Sequence, residues 1–329
     1  MKKPRLGFLG VGWIGRNRME AIARSGAAEV IALVDAAPEM AQKALECVPG
    51  ARVLPGFAAL LDQDLEGVVI ATPSALHAEQ SIAALRRGMA VFCQKPLGRT
   101  EEEVRAVLDA ARAADRLLAV DLSYRCTRAV QAIRDRFGEL GEVYAAHLAF
   151  HNAYGPDKPW FYDARLAGGG CVMDLGIHLV DLALWLLDAP RVERVASSLS
   201  QKGRKLRGRD AVEDHGAALL ELSTGCSVQL ACSWCLPAGR DCLIEASFYG
   251  TRGGASFSNV NGSFYDFRAE LFRGTSREVL VDPPDAWGGR AAVEWAARLA
   301  TGERFDPHAE ELAAVAATID RIYAGGKIG

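Results

Sequence analysis

Across the first 120 residues, short uninterrupted apolar runs alternate with longer amphipathic ones, and few folds accommodate that pattern. Residues 6–9, 30–34, 67–71, 90–93 and 117–120 read as strands apolar on both faces. Only a sheet covered on both sides buries such strands. Between them, residues 14–25, 38–46, 57–61, 75–87 and 100–114 have helical spacing and length. Thr100, followed by Glu101, Glu102 and Glu103, supplies a hydroxyl cap and carboxylates for the positive end of the last helix. The expectation for residues 1–122 is therefore an α/β domain with a doubly wound parallel sheet.

After Tyr124 the pattern changes. A helix over 127–137 leads to an apolar run at 143–150, and a stretch rich in Gly, Pro and aromatics precedes a strongly apolar helix over 171–187. Alternating runs at 192–200, 216–222, 227–234, 242–249 and 255–259 read as strands, and helices at 290–299 and 307–323 close the chain. That order predicts a second α/β domain, 123–329, built on a mainly antiparallel sheet with helices on one face.

A chain of 329 residues is long enough for two cores without cross-links, and 50% hydrophobic with 24% charged residues is a globular balance. The net charge of −3 argues against nucleic-acid binding. The one basic block, Lys202 to Arg209, has no interleaved aromatics and reads as an exposed loop. The opening apolar run is short, glycine-rich and followed by Arg16 and Arg18, so it reads as a first strand rather than an export signal. No stretch approaches the roughly 18 apolar residues of a membrane span. Eight cysteines without an export signal read as reduced thiols of a cytoplasmic protein. Cys232 and Cys235 have metal-like spacing but no second pair, and no metal is expected.

The sequence Gly10-Val11-Gly12-Trp13-Ile14-Gly15 follows the first strand and opens the first helix, the context a dinucleotide-binding turn requires. The first glycine makes the turn, the second lets backbone approach a pyrophosphate, and the third lets helix pack on sheet. Asp35, twenty residues past Gly15, ends the second strand, where a carboxylate can accept hydrogen bonds from a ribose diol. Ala36 and Ala37 follow with no adjacent arginine for a 2′-phosphate, which favours NAD over NADP. Thr72, Pro73, Ser74 and His77 follow the third apolar run, at the strand end that faces the ligand crevice, although helix capping alone also explains the first three.

Two further segments carry chemistry. Lys95, in Gln94-Lys95-Pro96, ends the fourth apolar run, and Pro96 stiffens the turn at a place where a cis bond is accessible. Asp174, His178 and Asp181 fall at i, i+4 and i+7, one stripe continued by Trp185 on an otherwise apolar helix. Such a stripe is either satisfied by partners or faces a cavity. Gly168-Gly169-Gly170 before it lets a flat ring approach the backbone. An Asp–His pair that only locks two elements together is the competing reading.

Together these residues resemble the Gfo/Idh/MocA oxidoreductases, along essentially the whole length. The resemblance rests on the glycine turn, Ala71 to His77, Gln94-Lys95-Pro96, Tyr124-Arg125, Gly168 through His178, Gly250 to Gly253 and the closing helix. It implies a Rossmann domain followed by an α/β domain whose open sheet forms a homodimer or homotetramer. It implies binding of NAD by Gly10, Gly12, Trp13, Ile14, Gly15, Asp35, Thr72, Pro73, Ser74, His77, Gln94 and Lys95. His178 is then the general base, Asp174 its partner or a substrate ligand, and Lys95 the donor that steadies a developing alkoxide. Tyr124, Arg125, His151, Asn152, Trp160 and Tyr162 are the expected substrate contacts beside these three. The family usually has glutamate where this chain has Gln94, and an aromatic where it has Cys126. The function implied is NAD-dependent hydride transfer at a secondary alcohol of a sugar, sugar derivative or inositol. The alternatives are a redox cycle on tightly held NAD that gives net elimination, hydrolysis or epimerisation, and a non-catalytic NAD-binding regulator.

Overall fold

A computed structural model describes residues 3–209 and 211–325 of the chain. They form two compact units. The first comprises the residues through Gly98, Glu102–Ser123 and Trp287–Glu310, and the second comprises Arg99–Glu101, Tyr124–Ala286 and the chain from Glu311 onward.

The first unit holds six strands: β1 (Arg5–Leu9), β2 (Glu29–Val34), β3 (Arg52–Val53), β4 (Gly67–Ile70), β5 (Ala90–Cys93) and β6 (Leu118–Val120). They form one parallel sheet in the order β3-β2-β1-β4-β5-β6. Every residue of β4 and β5 is buried, as continuous apolar runs require. The winding reverses between β1 and β4, and ligands of such sheets bind beyond the carboxyl ends of the strands at that switch point. All five expected strands and helices are present within two or three residues. The added strand, β3, is a two-residue exposed edge with no apolar pattern to reveal it.

The boundary expected at residue 122 misses a return of the chain. The helix Arg290–Ala300 belongs to the first unit, where Ala292, Trp295 and Ala296 join the core around Leu6, Phe8 and Phe92. The Trp295 and Phe92 ring centroids are 5.7 Å apart. A Cβ on Gly67 would lie 2.9 Å from the Trp295 ring, so bare backbone in β4 makes the room. An amphipathic helix declares that one face is buried, but not which sheet buries it.

In the second unit the strands are β7 (Val143–Asn152), β8 (Val192–Gln201), β9 (Arg204–Leu206), β10 (His215–Leu222), β11 (Ser227–Ser233), β12 (Cys242–Gly250), β13 (Gly254–Asn259), β14 (Phe267–Arg273) and β15 (Ser276–Val281). Their order is β15-β14-β13-β12-β7-β11-β10-β8-β9, and only β7 and β11 pair in parallel. Strands β9, β14 and β15 were not expected, and β9 turns the basic block into a hairpin rather than a loop. At its end Arg209 turns back, donating to the Arg99 carbonyl and Asp320 and lying 4.4 Å from the Tyr323 ring centroid. One sheet face, including Leu148, Phe150, Leu230, Cys232 and Ile244, is buried. Helices Arg128–Arg136, Ile177–Leu186 and Glu311–Ala324 pack on this sheet. The alternate positions, including Ala145, Ala149, Gln229, Ala231 and Ser247, remain at least partly exposed.

The stretch Ala164–Leu186, helical apart from the bend at residues 168–170, is by length and composition apolar enough to cross a membrane, which the sequence reading overlooked; 83% of its most apolar window is buried inside the protein. Replacing Trp295 by Ala should open a cavity in the first unit and lower stability by about 3–5 kcal/mol. Chemical denaturation measures this; an unchanged unfolding curve would show that the returning helix is not part of that core.

Candidate active site

The glycine-rich turn is closed by local packing. Gly10 adopts φ +85°, and a Cβ there would meet the Ala71 carbonyl oxygen at 2.5 Å. A Cβ on Gly15 would lie 2.2 Å from the Gly10 oxygen, so the third glycine lets the helix Trp13–Ser25 start directly against the turn. No side chain caps this helix, so its first amides and positive dipole end are left to an anion. Asp35 reaches over the turn, accepting from Val11 N at 2.7 Å and from Ala37 N at 2.9 Å. Trp13 is exposed beside the turn. A cradle that a Cβ would fill, an uncapped helix and a carboxylate at the end of β2 fit a dinucleotide.

Thr72, Pro73 and Ser74 follow β4 as expected. Thr72 Oγ1 donates to Gln80 Oε1 at 2.6 Å, so its hydroxyl braces the following helix. His77, an expected cofactor contact, is placed between two backbone carbonyls. It is 1% exposed, with Nδ1 2.6 Å from the Pro96 oxygen and Nε2 2.7 Å from the Thr72 oxygen. Burial pushes its pKa down, against the two carbonyls that favour the charged ring. His77 thus ties the Thr72 turn to the Lys95–Pro96 turn, whose peptide bond is cis. Gln94, just before it, donates its amide to Asp121, which is also paired with Arg18 at 2.6 Å.

In the second unit the apolar helix begins at Gly170 and passes through a π-helical turn, Val172–Gly176, into Ile177–Leu186. Its first amides have no partners within the helix. Glu213 accepts from Gly170 N at 3.1 and 3.0 Å and from Val172 N at 2.9 Å, and its backbone oxygen accepts from Cys171 N at 3.0 Å. Tyr323 donates its hydroxyl to Glu213 at 2.8 Å and accepts from Met173 N at 3.2 Å. Burial pushes the Glu213 carboxyl up, while these hydrogen bonds favour its anion. The triple glycine is explained here: Cβ atoms would lie 2.8 Å from Arg99 Cβ at Gly168, 2.0 Å from the Tyr323 hydroxyl at Gly169, and 1.9 Å from the Glu213 oxygen at Gly170. The flat ring admitted at this backbone is the protein's own Tyr323.

Asp174 lies in the π-helical turn and accepts from Trp234 Nε1 at 3.1 Å. Such turns recur at functional sites because they turn a side chain out of the regular ladder. His178 follows on the same helix, with its ring 4.9 Å edge-to-face from Tyr124 and 6.5 Å from Phe150. Tyr124 also packs edge-on against Phe150, Phe257 and Phe267. Burial pushes its hydroxyl pKa up. The remainder of the polar stripe is structural. Asp181 takes Arg125 at 2.5 Å, Arg125 also meets Glu311 at 3.2 Å, and its guanidinium lies 5.3 Å from the Trp185 ring.

Arg125, an expected substrate contact, is placed as an ion-pair clamp between Asp181 and Glu311. Strand alternation points His151, also an expected substrate contact, away from the face that carries Phe150. Its Nδ1 lies 2.9 Å from Ser233 Oγ, and burial, aided by His215, pushes its pKa down. Asn152 closes a turn by accepting from Tyr154 N at 2.8 Å. Trp160 stacks on Phe161, and Phe161 and Tyr162 both meet Trp234 edge-on, so these aromatics gather beside Asp174. Glu213, Tyr323, Trp234, Asp121 and Arg18 were missed as site residues by the sequence reading, although Trp234 lies inside the Cys232–Cys235 string and Tyr323 in the closing helix. Cys232 faces Cys171 at 3.9 Å while Cys235 is exposed. Among the described residues no three His, Cys, Asp or Glu side chains come together as a metal would require.

Comparison with known proteins agrees with this geometry. The profile described as oxidoreductase family, NAD-binding Rossmann fold, matches residues 4–122, and that of the GFO/IDH/MocA C-terminal domain matches residues 127–256. The chain belongs to the Gfo/Idh/MocA family of NAD-binding oxidoreductases. D-glucoside 3-dehydrogenase of Escherichia coli (strain K12) is 29% identical over 268 residues, covering 77% of this chain and 76% of that protein. Inositol 2-dehydrogenase 1 of Mycolicibacterium vanbaalenii (strain PYR-1) is 28% identical over 325 residues, covering 89% and 92%. The solved structure of GenD2 from gentamicin A biosynthesis, in complex with NAD, superposes with a TM-score of 0.82 at 25% identity, covering 98% of this chain and 94% of that one.

Tyr323→Phe leaves the buried Met173 amide without its partner and should destabilise the protein by about 1–3 kcal/mol, read from denaturant midpoints. A stability equal to that of the parent would remove Tyr323 from the support of this helix.

Proposed function

We propose that this oxidoreductase moves a hydride between NAD and a secondary alcohol of a sugar, a sugar derivative or an inositol. The observation that carries the reading is the buried helix from Gly170. On an otherwise apolar element, Asp174 is held by Trp234 in a π-helical turn, and His178 follows on the same helix. When bound, NAD supplies the hydride acceptor. His178 takes the proton of the reacting hydroxyl, and Asp174 orients it or the substrate. Lys95, at the carboxyl end of β5, holds the charge that develops on oxygen. Tyr162, Phe161 and Trp234 offer apolar ring faces to the CH groups of a polyol. Asp35 with Ala36 and Ala37 favours NAD over NADP, because a carboxylate accepts from a ribose hydroxyl and repels a phosphate.

The exposed face of the nine-stranded sheet supports self-association. Its central positions, Ala145, Ala149, Ala231 and Ser247, are small and uncharged, which suits flat packing against a second copy in a dimer or tetramer. The eight cysteines are all free thiols, which fits the reducing interior of a cell, where we place the enzyme.

A panel of sugars and inositols with NAD and NADP, followed by absorbance of the reduced cofactor, tests the reading. Turnover with NADP clearly above that with NAD would overturn the role given to Asp35. Lys95→Ala should lower kcat by about 10²–10³ while NAD still binds; an unchanged kcat would refute its assignment. Light scattering should report a dimer or tetramer that Ala149→Arg weakens, and a monomeric parent would end the proposal for the sheet.

A further inference from the structure

Gln94 and Asp121 share a buried contact that the reaction above does not use. Both are held by the sheet: Gln94 N donates to the Ile70 oxygen at 2.8 Å and Asp121 N to the Cys93 oxygen at 2.9 Å. Asp121 is 1% exposed, and its Oδ2 accepts from Arg18 Nε at 2.6 Å and from the Gln94 amide. Its Oδ1 accepts from Ser123 Oγ at 2.7 Å, and Ser123 accepts from Arg18 Nη2 at 3.2 Å. An ionised carboxylate only accepts, so the atom of Gln94 that faces Asp121 must be the amide nitrogen. The amide oxygen is thereby turned the other way. Among the described residues no donor reaches Oε1, and it is not among the buried atoms sealed without a partner.

We propose that Asp121 is a positioning residue that requires an amide at position 94 and aims its Oε1 to accept from a hydroxyl of the cofactor's ribose. The proposal rests on the reading that NAD occupies the carboxyl ends of this sheet. The charge balance is specific to this chain. One guanidinium, Arg18, faces one carboxylate, Asp121, and the neutral Gln94 completes the cluster. A glutamate at 94 would set a second carboxylate against Asp121 with no second cation in the cluster, and buried like charges at hydrogen-bond distance do not both ionise. Conversely, an asparagine at 121 would leave Arg18 without its anion.

The two positions therefore exchange roles only together. The test uses cofactor-free protein, calorimetric titration with NAD and thermal unfolding, on Gln94→Glu, Asp121→Asn and the double variant. Gln94→Glu should lower the unfolding temperature and weaken NAD binding about tenfold. Asp121→Asn should lower the unfolding temperature. The double variant, with an amide donor at 121 and the carboxylate at 94, should regain NAD affinity to within about threefold of the parent and unfold above either single variant. Losses that simply add, or a Gln94→Glu protein that binds NAD like the parent, would overturn the pairing. Gln94→Ala separates the two parts: unchanged NAD affinity would overturn the cofactor contact even if the double variant is rescued in stability. Asp35→Ala checks the underlying reading, since NAD affinity indifferent to that change would place the cofactor elsewhere.

Discussion

Four consecutive amides at the start of a buried helix need partners from outside the helix, and in this protein Glu213 and Tyr323 provide them. The rest of the second unit's chemistry follows from that constraint. Glu213 can come close only because Gly170 has no Cβ, and Tyr323 only because Gly169 has none. The π-helical turn, Val172–Gly176, begins within the pinned residues, and Asp174 in that turn meets Trp234. The carboxylate at the positive end of a helix is also favoured electrostatically, which offsets part of its burial.

The first unit applies the same rule to a different problem. A buried carboxylate is tolerated when each oxygen is occupied, and Asp121 has Arg18, Ser123 and Gln94. His77 joins two turns at adjacent strand ends through both ring nitrogens. Both arrangements lie at the carboxyl edge of a parallel sheet, where the chain ends its strands in loops rather than in further hydrogen-bonded ladder. The polar groups at that edge fix one another, while no side chain caps the helix that follows the glycine turn.

Much of this was legible in the residues. The five continuous apolar strands could be read because burial on both faces leaves a pattern that no surface strand shows. The glycine turn with Asp35 was legible because a tight turn, a close backbone approach and a ribose contact each demand a particular residue type. Lys95, Asp174 and His178 could be singled out as polar residues in apolar surroundings. What each singled-out residue does was less visible. Asp181 and Asp174 look alike along the helix, yet one is spent on Arg125 and the other meets Trp234. His151 sat in a promising segment, but strand alternation sends it to the opposite face from Phe150. The triple glycine suggested room for a ring, and the ring turned out to be Tyr323, about 150 residues away in the chain.

By itself the sequence determined most of the element types, the parallel and mainly antiparallel sheets, and the class of cofactor, because local periodicity and turn chemistry depend only on near neighbours. Tertiary structure alone decided that Trp295 returns to the first core, that Glu213 caps the helix of Asp174, and that position 94 answers to Asp121. Those pairings join residues separated by 27 to nearly 290 positions. Hydrogen bonds and close packing choose partners by position in space, which spacing along a chain does not specify.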